Sequence, residues 1–182
     1  GFLPGPLQAA YVHLLQQALQ RKLLVSFDPN YRELLFGQKK PSFVEQSWPF
    51  LKAAHFFKLS DEEAMLLTHT NTVEEAAAHL LQTTSGVFAI TLGAAGTLLG
   101  INGQTQLIGS IPVKPVDTTG AGDAFVGAVL YQLSQLSAQE QQSLDATAWQ
   151  QIVRNGNKAG ARTCEYMGAM EAFKHLNKNI FE

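Results

Sequence analysis

A three-layer α/β domain is the fold class this sequence predicts, on three observations. Short apolar runs end at turn-prone polar clusters, stretches of helical period separate them, and one glycine-rich turn opens directly into an apolar helix. The runs are LLVSF at 23–27, AHFFKLS at 54–60 and GVFAITL at 86–92. Their length and lack of alternation suit strands buried on both faces, as in a parallel sheet.

The elements follow in order. From Pro6 to Lys22 apolar residues recur at three and four (Leu7, Tyr11, Leu14, Leu15, Ala18, Leu19), with Pro6 suited to a first helical turn. This predicts an amphipathic helix feeding the first strand, 23–27, which ends at the turn signal Asp28-Pro29-Asn30. A weaker helical pattern covers Ser42 to Lys52, ahead of the second strand. Ser60 with Glu63 three residues on, and Thr72 with Glu75, each read as a capping box opening a helix. The third strand at 86–92 is followed by TLLGI, Asn102-Gly103 and QTQLIG, a hairpin with a type I′ turn. After Pro112 and Pro115 comes VDTTGAGDAFVGAVLYQL, a turn and then a helix from about Ala121 to Leu133. A Gln-rich linker near 135–142 leads to a long helix through Trp149, Ile152, Val153 and Ala159, and a short helix is expected after Gly168.

Composition excludes several function classes. Hydrophobic residues are 46% and charged ones 15% of the chain, which is the balance of a folded protein. Thirteen Lys and Arg against fifteen Asp and Glu, a formal net charge of −2, give no global field for a nucleic acid backbone or an anionic membrane. No apolar run approaches the roughly 18–20 residues that span a bilayer, and no signal peptide is visible at the start. A single cysteine, Cys164, allows no internal disulfide and suits a reducing, cytoplasmic compartment. It reads as packing rather than as a nucleophile. The five histidines are scattered without an i,i+4 pair, which argues against a transition-metal site.

The chemistry concentrates in DTTGAGDAF at 117–125. Gly120 and Gly122 permit close approach and unusual dihedral angles, so the amides from Gly120 through Ala121 to Asp123 can converge on an anion at a positively polarised helix start. Such a pocket stabilises the charge that develops on a phosphoryl group in transfer. A carboxylate there repels phosphate, so Asp123 calls for another role: accepting the proton of an attacking hydroxyl. The bland alternative, a glycine loop with Asp at a helix start, stays open on these residues alone.

DTTGAGDAFVGA resembles the C-terminal signature of the ribokinase/PfkB carbohydrate kinases, and the resemblance extends over nearly the whole chain. It implies a three-layer α/β/α ribokinase-like fold, with residues 1–182 forming the C-terminal nucleotide-binding and catalytic part of a single domain. The N-terminal part and its β lid are expected to be absent, leaving an open sheet edge and an uncovered apolar face. In the family the Gly-Ala-Gly backbone is the anion hole and the next Asp the base. That maps onto Gly120, Ala121, Gly122 and Asp123.

SFDPNYRELL at 26–35 is similar to a fructokinase segment and implies a substrate role for Asp28, Asn30 and Arg32. KLSDEEAMLLT at 58–68 is similar to an Asn-x-x-Glu segment, with Ser60 in place of Asn. It implies that Glu63 acts on Mg²⁺ through water, although the capping box already accounts for both residues. TLGAAGTLL at 91–99 resembles the nucleotide-phosphate turn, giving Thr91, Gly93 and Gly96. Asn157 matches a residue flanking adenine, opposite VKPV at 113–116, while Asp117 and Thr119 match positions that hold a monovalent cation such as K⁺. Asp117 could equally cap its own loop. The implied function is ATP-dependent phosphorylation of a sugar, fructose to fructose 6-phosphate first and 2-keto-3-deoxygluconate or ribose next. A non-catalytic nucleotide-sensing or assembly module is the rival reading. The isolated chain is expected to be inactive, and the complete protein to form a homodimer.

Overall fold

The computed structural model describes residues 2–3, 5–176 and 180–181. Helix α1 (Pro6–Gln20) leads to β1 (Ser26–Phe27), then α2 (Glu33–Phe36), α3 (Lys40–Ala53) and β2 (Phe56–Ser60). Helices α4 (Asp61–Thr68) and α5 (Val73–Thr83) precede β3 (Val87–Thr91), β4 (Thr97–Ile101) and β5 (Gln104–Ile108). The chain ends with α6 (Ala121–Ser134), α7 (Ala138–Gln142), α8 (Ala146–Thr163) and a 3₁₀ turn at Glu171–Lys174.

The strands form one sheet in the order β1-β2-β3-β4-β5. β1 and β2 are parallel, with Ser26 opposite Phe56 and Phe27 opposite Phe57. The starts of β2 and β3 also lie side by side, Val87 N–H donating to His55 C=O at 3.0 Å. Strands β3, β4 and β5 are joined by loops too short for a crossover, so they run antiparallel. Asn102 and Gly103 both have positive φ, 52° and 74°, which is the expected type I′ turn.

The chain divides into two compact units: residues 1–90 with 100–105, and residues 91–99 with 106–182. In the first, Phe43 and Leu51 of α3, Phe56, Phe57 and Leu59 of β2, Leu67, Leu80 and Phe88 are fully buried. Phe57 stacks on Phe88 at 5.6 Å, and Gly100 faces the Phe88 ring so closely that a Cβ would lie 2.1 Å from it. The second unit is built on α6 against α8. Gly156 and Gly160 let α8 approach: a Cβ on Gly156 would lie 2.8 Å from the Phe125 ring, and one on Gly160 3.0 Å from Ala121 C=O.

Some local expectations need correction. LLVSF is not a strand buried on both faces: only Ser26 and Phe27 pair, and Leu23 and Leu24 are exposed. β1 is an edge of the sheet: Val25 C=O just before it still accepts from His55 N–H and Phe56 N–H, but Leu23 and Leu24 have no partner strand among the described residues. Helix α1 forms over the expected residues yet buries none of them, with Leu7 60% and Leu14 61% exposed. Ser60 and Glu63 do form a reciprocal capping box, whereas Glu75 reaches one residue too far and accepts from Asn71 N–H while Thr72 caps alone. The Gln-rich linker is partly helical because Ser137 and Glu140 make a capping box of their own at α7.

Candidate active site

The second unit holds the glycine turn. Gly120 sits in the left-handed region at φ 84°, and a Cβ there would meet Ala169 at 2.8 Å, so both conformation and space demand glycine. Ala121 N–H closes the turn onto Thr118 C=O at 3.2 Å and therefore does not face a ligand. The N–H groups of Gly120, Gly122 and Asp123 have no acceptor among the described residues. They are the orphan donors of a helix start, a kind of group that can donate to an anion. Asp123 projects from this first turn into solvent, with no ion-pair or hydrogen-bond partner among the described residues.

The turn is braced from below. Asp117 Oδ1 accepts from Thr119 N–H at 2.9 Å and from Thr119 Oγ at 2.7 Å, while Oδ2 accepts from Gly168 N–H at 2.8 Å. These bonds, the Thr119 amide first, hold its carboxyl below the ordinary range. Val116 and Asp117 donate in turn to Cys164 C=O at the end of α8. Asp117 and Thr119 are thus brought together as an Asx turn that ties the loop internally.

Beside the turn, in the same unit, lies a cleft of about 610 Å³. Its walls are largely apolar, with Ile111, Pro112, Val113, Pro115, Ala161 and Cys164 among the lining residues. Thr91, Gly93, Gly96, Ala121, Gly122 and Asn157 also line it, so the expected nucleotide residues and the glycine turn share one cavity. Gly96 at φ 107° is fixed by packing, since a Cβ would lie 2.2 Å from Ile108 C=O. Gly93, at φ 57°, borders open space. Asn157 is 7% exposed, and its amide is fully engaged: Nδ2 donates to Ile108 C=O at 2.8 Å and Gly109 C=O at 3.3 Å, and Oδ1 accepts from Thr97 Oγ at 2.6 Å. Its side chain is held in the cleft wall by these three bonds. Burial raises the Cys164 thiol, with Asp117 and Glu165 adding to the shift, and the thiol donates to Gly160 C=O, which supports packing and not nucleophilic chemistry.

In the first unit Asp28, Asn30 and Arg32 line a second cleft of about 590 Å³ at the end of β1, together with Phe27 and the α1 residues Tyr11 and Leu14. Asp28 pairs with Lys58 at 3.7 Å. Arg32 donates to Tyr31 C=O at 2.9 Å and is exposed, as is Asn30 at φ 55°. Glu63 is 6% exposed; Oε2 accepts from Ser60 N–H at 2.8 Å and Oε1 from Tyr31 N–H at 2.6 Å. Among the described residues no group of three or more His, Cys, Asp or Glu could cage a metal ion. Each Glu63 carboxylate oxygen accepts one backbone N–H and keeps a second lone pair.

Lys58, the Tyr31 amide and Thr118 escape the sequence reading. Only Lys58 left a signal, as a charge inside the apolar run FFKLS that must find a counter-charge once buried.

An exposed carboxylate thus stands on a glycine-opened helix start beside an apolar cleft in an α/β protein. Residues 1–176 match the pattern of the pfkB family carbohydrate kinases, and the chain belongs to that family. It is 33% identical over 171 residues to fructokinase-1 of Oryza sativa subsp. japonica, covering 91% of this chain and 50% of that one. Among solved structures, the fructokinase of Vibrio cholerae O395 with fructose, ADP and calcium bound superposes with a TM-score of 0.86 at 31% identity, over 97% of this chain and 55% of that one. The aminoimidazole riboside kinase of Salmonella enterica superposes at 0.79 with 29% identity, over 90% and 53%. The chain spans about half the length of the curated relatives it matches. No described helix is long and apolar enough to cross a membrane.

Proposed function

We propose that this chain carries the phosphoryl-transfer machinery of an ATP-dependent sugar kinase whose acceptor is fructose, phosphorylated at O6. The observation that carries the reading is the pairing of solvent-facing Asp123 with the unpaired N–H groups of Gly120, Gly122 and Asp123. The donors hold the transferring group by its equatorial oxygens, and the carboxylate takes the proton of the sugar hydroxyl as it attacks in line. The apolar cleft lined by Val113 and Pro115 accepts the nucleoside. Thr91, Gly93 and Gly96 lie along the polyphosphate.

A hard divalent ion neutralises polyphosphate charge in such transfers and leans on substrate phosphates and water, so no protein cage is required for it to arrive with the nucleotide. Fructose is favoured by the curated relatives, which are named fructokinases. The likeness to a riboside kinase keeps ribosides as the second acceptor class. The test is ATP-dependent phosphorylation of fructose, glucose, ribose, aminoimidazole riboside and 2-keto-3-deoxygluconate by the protein's full natural chain. Fructose 6-phosphate as the main product is expected. Nucleotide binding without turnover on any sugar would instead favour a sensing or assembly module.

A further inference from the structure

We propose that Met167 and Met170 form an oxidation site through which peroxides loosen the glycine turn. This rests on the kinase reading for what the turn does, while the site itself stands on the segment that joins α8 to the 3₁₀ turn. Of the three methionines, Met65 lies half-buried in α4, whereas Met167 and Met170 are 69% and 70% exposed. A thioether left in solvent adds nothing to packing, and a peroxide can reach it. The one cysteine, Cys164, is 9% exposed and its thiol is pushed up by burial, so it offers little thiolate in competition.

The two side chains flank the residues that hold the turn. Between them Gly168, left-handed at φ 79°, donates its N–H to Asp117 Oδ2 at 2.8 Å. Ala169 lies against Gly120, where a Cβ would stand 2.8 Å from the Ala169 Cβ and 2.9 Å from its Cα. Among the described residues, Gly168 N–H is the one backbone donor of 167–170 with an acceptor. Both ends of the segment are anchored, since the Tyr166 ring stacks on His175 at 4.6 Å and Ala172 is fully buried. A change at 167 and 170 therefore falls on the Gly168 bond and on the Ala169–Gly120 contact. In the reaction the Sδ lone pair attacks the outer oxygen of the peroxide, and the S–O bond forms as the O–O bond breaks. The proton on the transferred oxygen passes to the leaving one, which departs as water or an alcohol; sulfur is oxidised and the peroxide reduced. The product is a polar sulfoxide, whose oxygen competes with Asp117 for the adjacent Gly168 N–H.

The experiment treats the full natural chain with dilute hydrogen peroxide and maps sulfoxide by peptide mass spectrometry. Hydrogen exchange at the Gly168 amide and the rate of ATP-dependent fructose phosphorylation are read alongside. Oxidation at 167 and 170 is expected to run at least about tenfold faster than at 65, following exposure. Gly168 exchange should then rise about tenfold, the size of one lost bond to a carboxylate, and the phosphorylation rate should fall about tenfold. Methionine sulfoxide reductases should reverse both changes in the wild-type chain. The double variant Met167→Leu, Met170→Leu keeps the side-chain volume without an oxidisable sulfur, and should fold, turn over and resist the peroxide. Met65 oxidised as fast as the pair, or an oxidised pair with Gly168 exchange or rate unchanged, overturns the proposal. So does a double variant that loses as much activity to peroxide as wild type, which would put the damage elsewhere, Cys164 included. A wild-type chain that phosphorylates no sugar sinks the kinase reading alone, because the sulfoxide map and the Gly168 exchange still decide whether the site loosens the turn.

Discussion

Helices α1 and α8 are both amphipathic in sequence, yet one is bare and the other packed. α1 buries none of its residues, whereas α8 buries Trp149, Ile152, Val153 and Ala159 against its neighbours in the second unit. The difference lies in what each helix offers a partner. α8 carries glycines four apart, Gly156 and Gly160, that let α6 come within backbone reach, while α1 leaves Leu7, Leu14 and Leu19 exposed among the described residues. Periodicity therefore tells which face of a helix is apolar. Whether that face is covered depends on a matching surface elsewhere.

The largest effect that would break this comparison is at Gly156. Gly156→Val drives methyl groups into the Phe125 ring and should cost about 2–3 kcal/mol, read by thermal or urea unfolding. A wild-type melting curve would mean that the close approach is not needed. Next is Asn157→Ala, which leaves buried Thr97 and two carbonyls short of partners and should cost about 1–3 kcal/mol. A double-mutant cycle with Thr97→Val should return a coupling of about 1 kcal/mol, sharpening the claim that Asn157 is bonded inward.

Acid sensitivity is smaller. The folded carboxyl of Asp117 titrates below its ordinary 3.8, so its contribution is complete above that value and is lost as pH falls through the depressed one. The stability gap between wild type and Asp117→Asn should thus be constant from neutral pH to about pH 4 and close below it. A gap that opens on acidification would contradict the Asx-turn role. The smallest effect is expected at α1, where Leu14→Lys should change stability by less than about 0.5 kcal/mol. A large loss there would mean that the leucine stripe is covered in solution.

Much of the fold was legible in local chemistry. The capping box at Ser60, the Asn102-Gly103 turn and the glycine turn into α6 each need only neighbouring residues to form, and all three form as read. Where the reading failed, the deciding contact came from far along the chain. LLVSF extends as a strand only if something pairs with it; the Thr118 bond that withdraws Ala121 N–H from the anion site is the local exception, three residues away. The candidate site follows the same division. Asp123 and its glycines announced themselves, whereas the inward bonding of Asn157, the Gly168 tie of Asp117 and the reach of Glu63 to Tyr31 are long-range hydrogen bonds that no spacing encodes.

The central claim, that the turn at Gly120–Asp123 transfers phosphate with Asp123 as base, is tested most directly by one measurement. It is the rate of ATP-dependent fructose phosphorylation by the full natural chain, wild type against Asp123→Asn, with nucleotide affinity measured alongside. The account predicts a fall in kcat of about 10²–10⁴-fold, the scale of a lost general base, with ATP bound as tightly as before. An Asp123→Asn protein that keeps its rate within about tenfold would contradict it.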